Sequence, residues 1–205
     1  MTQSIFAPTK SNLLKLRKQL AFALEGFELL DQKRQILTLE LVRRLERLRE
    51  TEHRTAEALA RAHEVLREAT LDSGSEVLER MALGVPVDYE VSLSDERLMG
   101  LRLPRARIQI GPPEVRFGFA GTSPSVDLAH RRFVEVLPLL AELAELQNAV
   151  LRLSRELRKT QRRCNALTKV FMPDCRQAIH YIAGALEERE RESFMDRKLR
   201  NARGR

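Results

Sequence analysis

From Ser11 to about Leu71 the apolar residues return every three or four positions: Leu13, Leu16, Leu20, Ala23, Phe27 and Leu30, then Leu37, Leu41, Leu45 and Leu48, and later Leu59, Ala62, Leu66 and Ala69. Such spacing lays one apolar stripe along a helix and leaves the rest of its surface wet. Two successive steps of four near Leu41 and Leu45 interrupt the heptad and locally unwind a left-handed supercoil. Pro8-Thr9-Lys10-Ser11-Asn12 supplies a rigid approach and polar capping candidates ahead of the stripe. One helix over residues 11–72 would be roughly 90 Å long at 1.5 Å per residue. It cannot bury its stripe against itself, so the chain must supply a second one.

The second stripe lies between Ser125 and Arg200: Leu128, Phe133, Leu137, Leu140, Leu143, Val150, Leu153, Leu157, Cys164, Leu167, Phe171, Ala178, Ile182 and Leu186. Between the two the composition changes. Residues 73–125 open on Ser73-Gly74-Ser75 and hold most of the glycines and prolines, among short β-branched or alternating runs at Val85–Leu93, Ala106–Ile110 and Val115–Phe119. Gly111-Pro112-Pro113-Glu114 reads as the turn between the last two runs. The expected fold is mainly α: an antiparallel two-helix coiled coil made by residues 11–72 and 126–200, a small hairpin-bearing insert at 73–125, and a basic tail at 201–205. Equal rise along both helices makes facing positions sum to about 200 and brings both chain ends to one tip. Pro173 then faces the neighbourhood of Gly26, which predicts a kink packed on that glycine.

Composition narrows the function. Charged residues make up 32% of the chain and aromatics only 5%, with no Trp, a poor supply for the core of a large globular enzyme. No apolar run is long enough to span a bilayer, and the first residues lack the apolar core of a secretory signal, so an intracellular protein is expected. Cys164 and Cys175 on one helix would be roughly 16 Å apart, beyond disulfide reach.

Catalytic, cofactor and metal sites are not expected. There is no GxxxxGK[ST] phosphate loop. His63-Glu64 begins like a zinc-binding HExxH helix, but Arg67 stands where the second histidine is needed. His53, His130 and His180 have no ligand spacing, and Cys164 falls on the apolar stripe as a small hydrophobe. The run Leu186-Glu187-Glu188-Arg189-Glu190-Arg191-Glu192 fits a solvent-exposed helix stitched by pairs four apart. The tail from Asp196 to Arg205 is strongly basic, as is the chain at +7. It suits an acidic partner surface or, less specifically, nucleic acid.

Several segments in order resemble the D subunit of V-type and A-type rotary ATPases, the central axle of the rotor. They are Pro8-Thr9-Lys10-Ser11-Asn12-Leu13-Leu14-Lys15-Leu16, then Gly26, Leu29-Leu30 and Lys33-Arg34, and toward the C-terminus Arg162-Arg163-Cys164-Asn165-Ala166-Leu167, Pro173, Tyr181-Ile182 and the run from Leu186 to Phe194. The resemblance covers nearly the whole chain. It implies a non-catalytic subunit whose tip sits in a hexamer of A and B subunits, whose insert region binds the small F subunit, and whose base engages the funnel-shaped subunit on the membrane ring. Such a subunit is cytoplasmic and meets the membrane only through partners, while ATP hydrolysis or ion flow turns it.

On that reading the tip contacts are Lys10, Leu13, Leu14, Arg189, Arg191, Phe194, Arg197 and Lys198. The F-subunit candidates are Val87, Tyr89, Val91, Ile108, Ile110, Val115 and Phe117, residues that could equally pack a small core of the insert. No nucleic-acid partner is expected. Two other readings share the stripes: a free-standing coiled-coil scaffold and a basic nucleic-acid-binding protein.

Overall fold

The computed structural model describes residues 7–84, 89–111 and 123–203. Helix α1 runs Lys10–Ser73 and α2 Ser75–Gly84; strands β1 (Tyr89–Leu98) and β2 (Leu101–Ile110) form an antiparallel hairpin; α3 runs Pro124–Ala166 and, after a π turn at Leu167–Phe171, α4 runs Met172–Arg203. The fold is therefore the expected one: a long N-terminal helix, a long C-terminal helical segment and a small hairpin between them. The chain divides into two compact units, residues 37–156 and the two terminal stretches up to 36 and from 157 onwards.

Helix α1 starts where Thr9 caps it. The Thr9 hydroxyl oxygen accepts the Asn12 N–H at 3.2 Å and its carbonyl accepts the Leu13 N–H at 3.1 Å, while the Asn12 side chain donates to the Ala7 carbonyl at 2.9 Å. It stops at Gly74, whose φ of +80° is open to glycine without strain and whose N–H still reaches the Thr70 carbonyl at 3.0 Å. The Gly74 carbonyl then accepts the Leu78 N–H, so one residue ends α1 and begins α2.

In the unit of the two chain ends, Leu16, Cys175 and Ile182 are buried together, with Leu13, Leu20, Ala178, Ile179 and Leu186 packed around them. Burial pushes the Cys175 thiol up, and the adjacent Asp174 charge adds to it. Pro173 carries its irregularity just upstream of itself. The Met172 N–H donates to the Leu167 carbonyl, five residues back, and Thr168 Oγ1 donates to the Cys164 carbonyl at 2.9 Å. The spacing explains the turn. Buried Cys164 and Met172 are eight residues apart in the sequence. Two α turns take about 7.2 residues, and a turn bonded five apart takes up the surplus. Gly26 plays no part in it: a Cβ built there meets nothing within 4 Å, so the expected close packing of Pro173's helix on Gly26 is absent. The seam also passes through Met172 and leaves the predicted Phe171 exposed.

In the unit of residues 37–156, Ala69, Val126 and Ala129 form a buried cluster against Val65, Leu66, Leu78 and Met81. The rings of His63 and Phe133 meet edge to face at 5.3 Å. Asp72 closes the start of α3 by accepting from Ser125 Oγ at 2.8 Å and Ser123 Oγ at 3.2 Å. Thr51 and Thr55, absent from the predicted stripe, are buried on it. The Thr55 hydroxyl donates to the Thr51 carbonyl, which removes its need for water.

A hairpin turn falls at Met99-Gly100, within the stretch between the first two expected runs; the turn expected at Gly111–Glu114 and the run Val115–Phe119 fall on residues that, past Gly111, lie outside the described ones. Met99 (φ +48°) and Gly100 (φ +78°) are both left-handed, the requirement of the two-residue turn that matches the twist of paired strands.

Candidate functional site

The paired chain ends bring most of the predicted tip residues together. Lys10 Nζ lies 2.8 Å from a Glu190 carboxylate oxygen, and Arg189 Nη1 donates to the Pro8 carbonyl at 3.1 Å. The hydrogen bond to Glu190, then its charge, raises the Lys10 pKa, and Lys10 lowers that of Glu190 in the same order. Both groups are fully in water, so this pair aligns the ends more than it stabilises them. Arg191 donates to Glu188 at 3.2 Å and reaches Glu187 at 4.0 Å; Arg197 bonds the Ser193 carbonyl at 3.2 Å and its hydroxyl at 3.4 Å. Four of the predicted tip cations thus already hold partners within the chain. Leu13 is half-buried, packed against the cluster of Leu16, Cys175 and Ile182, whereas Leu14 is exposed.

Beyond Glu190 the helix α4 continues with every side chain from Arg191 to Asn201 exposed. Phe194 (65% exposed), Met195 and Leu199 are apolar side chains on this stretch, beside Arg197 and Lys198. Met195 and Leu199 fall outside the predicted tip residues; their spacing of four, which puts them on one helix face, is the signal that marks them. On α1, exposed Leu14 and Phe22 line a shallow groove with Ser11, Lys15, Lys18 and Gln19.

The second candidate surface is the hairpin. Its register pairs Tyr89 with Ile110, Val91 with Ile108 and Leu93 with Ala106, so these six side chains share one face. Tyr89, Val91, Leu93 (75%) and Ile110 are exposed and Ile108 is half-buried. Val87, Val115 and Phe117 lie outside the described residues.

The turn-proximal half is clasped to both long helices of its unit. Glu96 accepts from Arg44 Nη2 of α1 at 3.3 Å and from Arg105 Nη2 of β2 at 3.0 Å, and the Arg105 bond is the main cause of its lowered pKa. From α3, Glu145 accepts the Ala106 N–H at 3.0 Å and Arg152 donates to the Arg102 carbonyl at 2.9 Å. Leu103 is wholly buried beneath. Those bonds show that Arg102 and Ala106 turn their backbone groups outward, and Pro104, between them, sits where its missing N–H breaks no ladder bond. Among the described residues no backbone group pairs with the outer edge of β1.

The model of the ATP synthase D-subunit family matches residues 12–202. Among curated relatives, a V-type ATP synthase D subunit of Treponema pallidum, the one numbered 2 in that organism, is 38% identical over 197 residues, covering 96% of this chain and 94% of the relative. The V-type ATP synthase D subunit of Thermotoga neapolitana is 34% identical over 92% of this chain and 93% of its own. The A-type ATP synthase D subunit of Methanosphaera stadtmanae is 34% identical over 94% and 91%. The chain belongs to the ATP synthase D-subunit family. Among the described residues, no helix is long and apolar enough to cross a membrane.

Proposed function

We propose that this chain is the central-stalk rotor subunit of a V/A-type rotary ATPase, carrying torque between the A/B hexamer that makes or hydrolyses ATP and the ion-translocating membrane ring. It is itself non-catalytic, and it is held at the cytoplasmic side of the membrane through its partners. The observation that carries the reading is the free end of α4. A basic helix with exposed Phe194, Met195 and Leu199 outruns the first turn of α1, where Lys10 meets Glu190. Such an end suits a central cavity lined by apolar and acidic groups. Two paired helices resist twisting, and their wet outer faces avoid sticking in one orientation.

The exposed hairpin face of Tyr89, Val91, Leu93 and Ile110 takes the F subunit, with Ile108 at its margin and Val87, Val115 and Phe117 as further candidates. The funnel-shaped subunit of the ring engages the base of the axle. Tip contact is carried by Leu14 and Phe194, with half-buried Leu13 beside them, and by the cations Lys10, Arg189, Arg191, Arg197 and Lys198. Affinity purification of the tagged chain from its native cells tests the assignment. Stoichiometric A, B and F subunits with ATPase activity are expected; a lone chain or unrelated partners would reject it. Truncation after Leu186 keeps the buried cluster of Leu16, Cys175 and Ile182 and is expected to assemble but couple poorly; full coupling by the truncated chain would remove the terminal charges from the account.

A further inference from the structure

Past Leu167 the C-terminal helix carries two seams, one residue apart. Continued in steps of three and four from Leu153, Leu157, Thr160 and Cys164, the heptad runs through Leu167, Phe171, Asp174, Ala178, Tyr181 and Ala185. The chain follows that continuation only at its margin, where Ala178 packs at the edge of the buried cluster and Ala185 is half-buried. It buries Met172, Cys175 and Ile182, packs Ile179 and Leu186 beside them, and leaves Phe171 and Tyr181 exposed at 42% and 55%. The one-residue offset is taken up in the Leu167–Phe171 turn, where the Met172 N–H reaches five residues back.

Two groups oppose the unbroken heptad. It would carry the Asp174 carboxylate into the place where Cys175 is buried, an unpaired charge in an apolar seam. It would also draw an α turn through Pro173, which has no N–H to give and whose ring meets the Lys169 carbonyl. Every other place on the alternative seam is apolar.

We propose that the Leu167–Phe171 turn is a register switch. The helix from Met172 onward has a second state in which the turn closes to α and Phe171, Ala178, Tyr181 and Ala185 occupy the seam, with Asp174 and Pro173 holding it in the present one. Passage between the states turns this segment by about 100° and moves it about 1.5 Å along its axis. Backbone hydrogen bonding is kept in both states except at Pro173, so the balance is set by which side chains the seam accepts. The switch is a property of the isolated chain and does not rest on the rotor reading.

Tyr181 reports the state, because the chain has no Trp and only one other tyrosine, Tyr89. In a Tyr89→Phe background, acrylamide quenching of Tyr181 fluorescence is measured on the full chain alongside far-UV circular dichroism. The parent is expected to be readily quenched. Pro173→Ala with Asp174→Leu is expected to keep its helix content and lower the quenching constant of Tyr181 several-fold. A second variant guards against misfolding: deletion of Val170 with Pro173→Ala removes the extra residue, and is expected to keep Met172, Cys175 and Ile182 buried and Tyr181 quenchable. Undiminished quenching in the first variant at native helicity overturns the proposal, as does loss of helix in the first variant, or protection of Tyr181 or loss of helix in the second.

Discussion

Truncating Ile182 to Ala measures how much of the terminal unit hangs on its seam. The side chain is fully buried among Leu16 and Cys175, with Leu13, Leu20, Ala178, Ile179 and Leu186 around it. Three carbons are lost, worth about 2.4 kcal/mol of transfer at 0.8 per methylene. A cavity term adds to this, but a seam between two helices has few layers around it and relaxes easily. The expected cost is therefore about 2–3 kcal/mol, in the lower half of the range for large-to-small core substitutions. For a chain of this size that corresponds to a fall in melting temperature of roughly 4–12 °C. Tyr181→Ala, one residue away but largely in water, is expected to change stability by less than about 0.5 kcal/mol. Urea unfolding followed by far-UV circular dichroism reads both. An Ile182→Ala cost no larger than that of Tyr181→Ala would refute the seam as described.

Glu96→Gln removes the charge shared by Arg44 and Arg105 and is expected to cost about 1 kcal/mol, with faster amide exchange across Tyr89–Leu98; unchanged exchange would mean the clasp does not hold the hairpin. Ala69→Leu forces bulk into a fully buried position beside Val126 and Ala129 and is expected to destabilise by about 1–3 kcal/mol in thermal melts, whereas a stabilised variant would show that the cluster has room. The Lys10–Glu190 pair gives a pH window. Glu190 titrates below its ordinary 4.5, so its contribution is present above that value and lost as pH falls through the depressed one. Lys10 titrates above 10.5, so its contribution is present below that value and lost as pH rises through the raised one. A carboxyl NMR titration of Glu190 should return toward 4.5 in Lys10→Met; an unmoved midpoint would deny the contact.

The helices are legible in the sequence because their signal is long and repetitive, and a stripe that exposes itself must be paired. Where one residue decides the outcome, periodicity is not enough. Counting by threes and fours leads through Phe171, while the chain gains a more apolar seam in Met172, Cys175, Ile179, Ile182 and Leu186 by inserting a π turn at Leu167–Phe171. Thr51 and Thr55 escape a count of apolar residues, yet a threonine that donates to its own helix, as Thr55 does, can be buried without an orphaned hydroxyl. The turn at Met99-Gly100 escapes the count because a non-glycine residue takes a left-handed conformation there that composition does not announce. Helix α2 is hidden among the insert's glycines and prolines, although Leu78 and Met81, three apart, are the residues that dock it.

The same limit holds for the site. The terminal charges are visible in the sequence, but Lys10, Arg189, Arg191 and Arg197 find partners inside the chain, and the exposed apolar face of Phe194, Met195 and Leu199 emerges only once α1 is seen to start at Lys10. The hairpin's apolar pairs become a surface only with the register in hand.

The rotor claim is tested most directly by watching the chain turn. With the chain, A, B and F subunits co-expressed and the hexamer fixed to glass, a bead is attached through Glu90→Cys, exposed on the hairpin face opposite Leu93, and followed while ATP is supplied. Unidirectional rotation that stops when ATP is withdrawn is the predicted result. Sustained hydrolysis by the same immobilised complexes with beads that only fluctuate about one angle would contradict it.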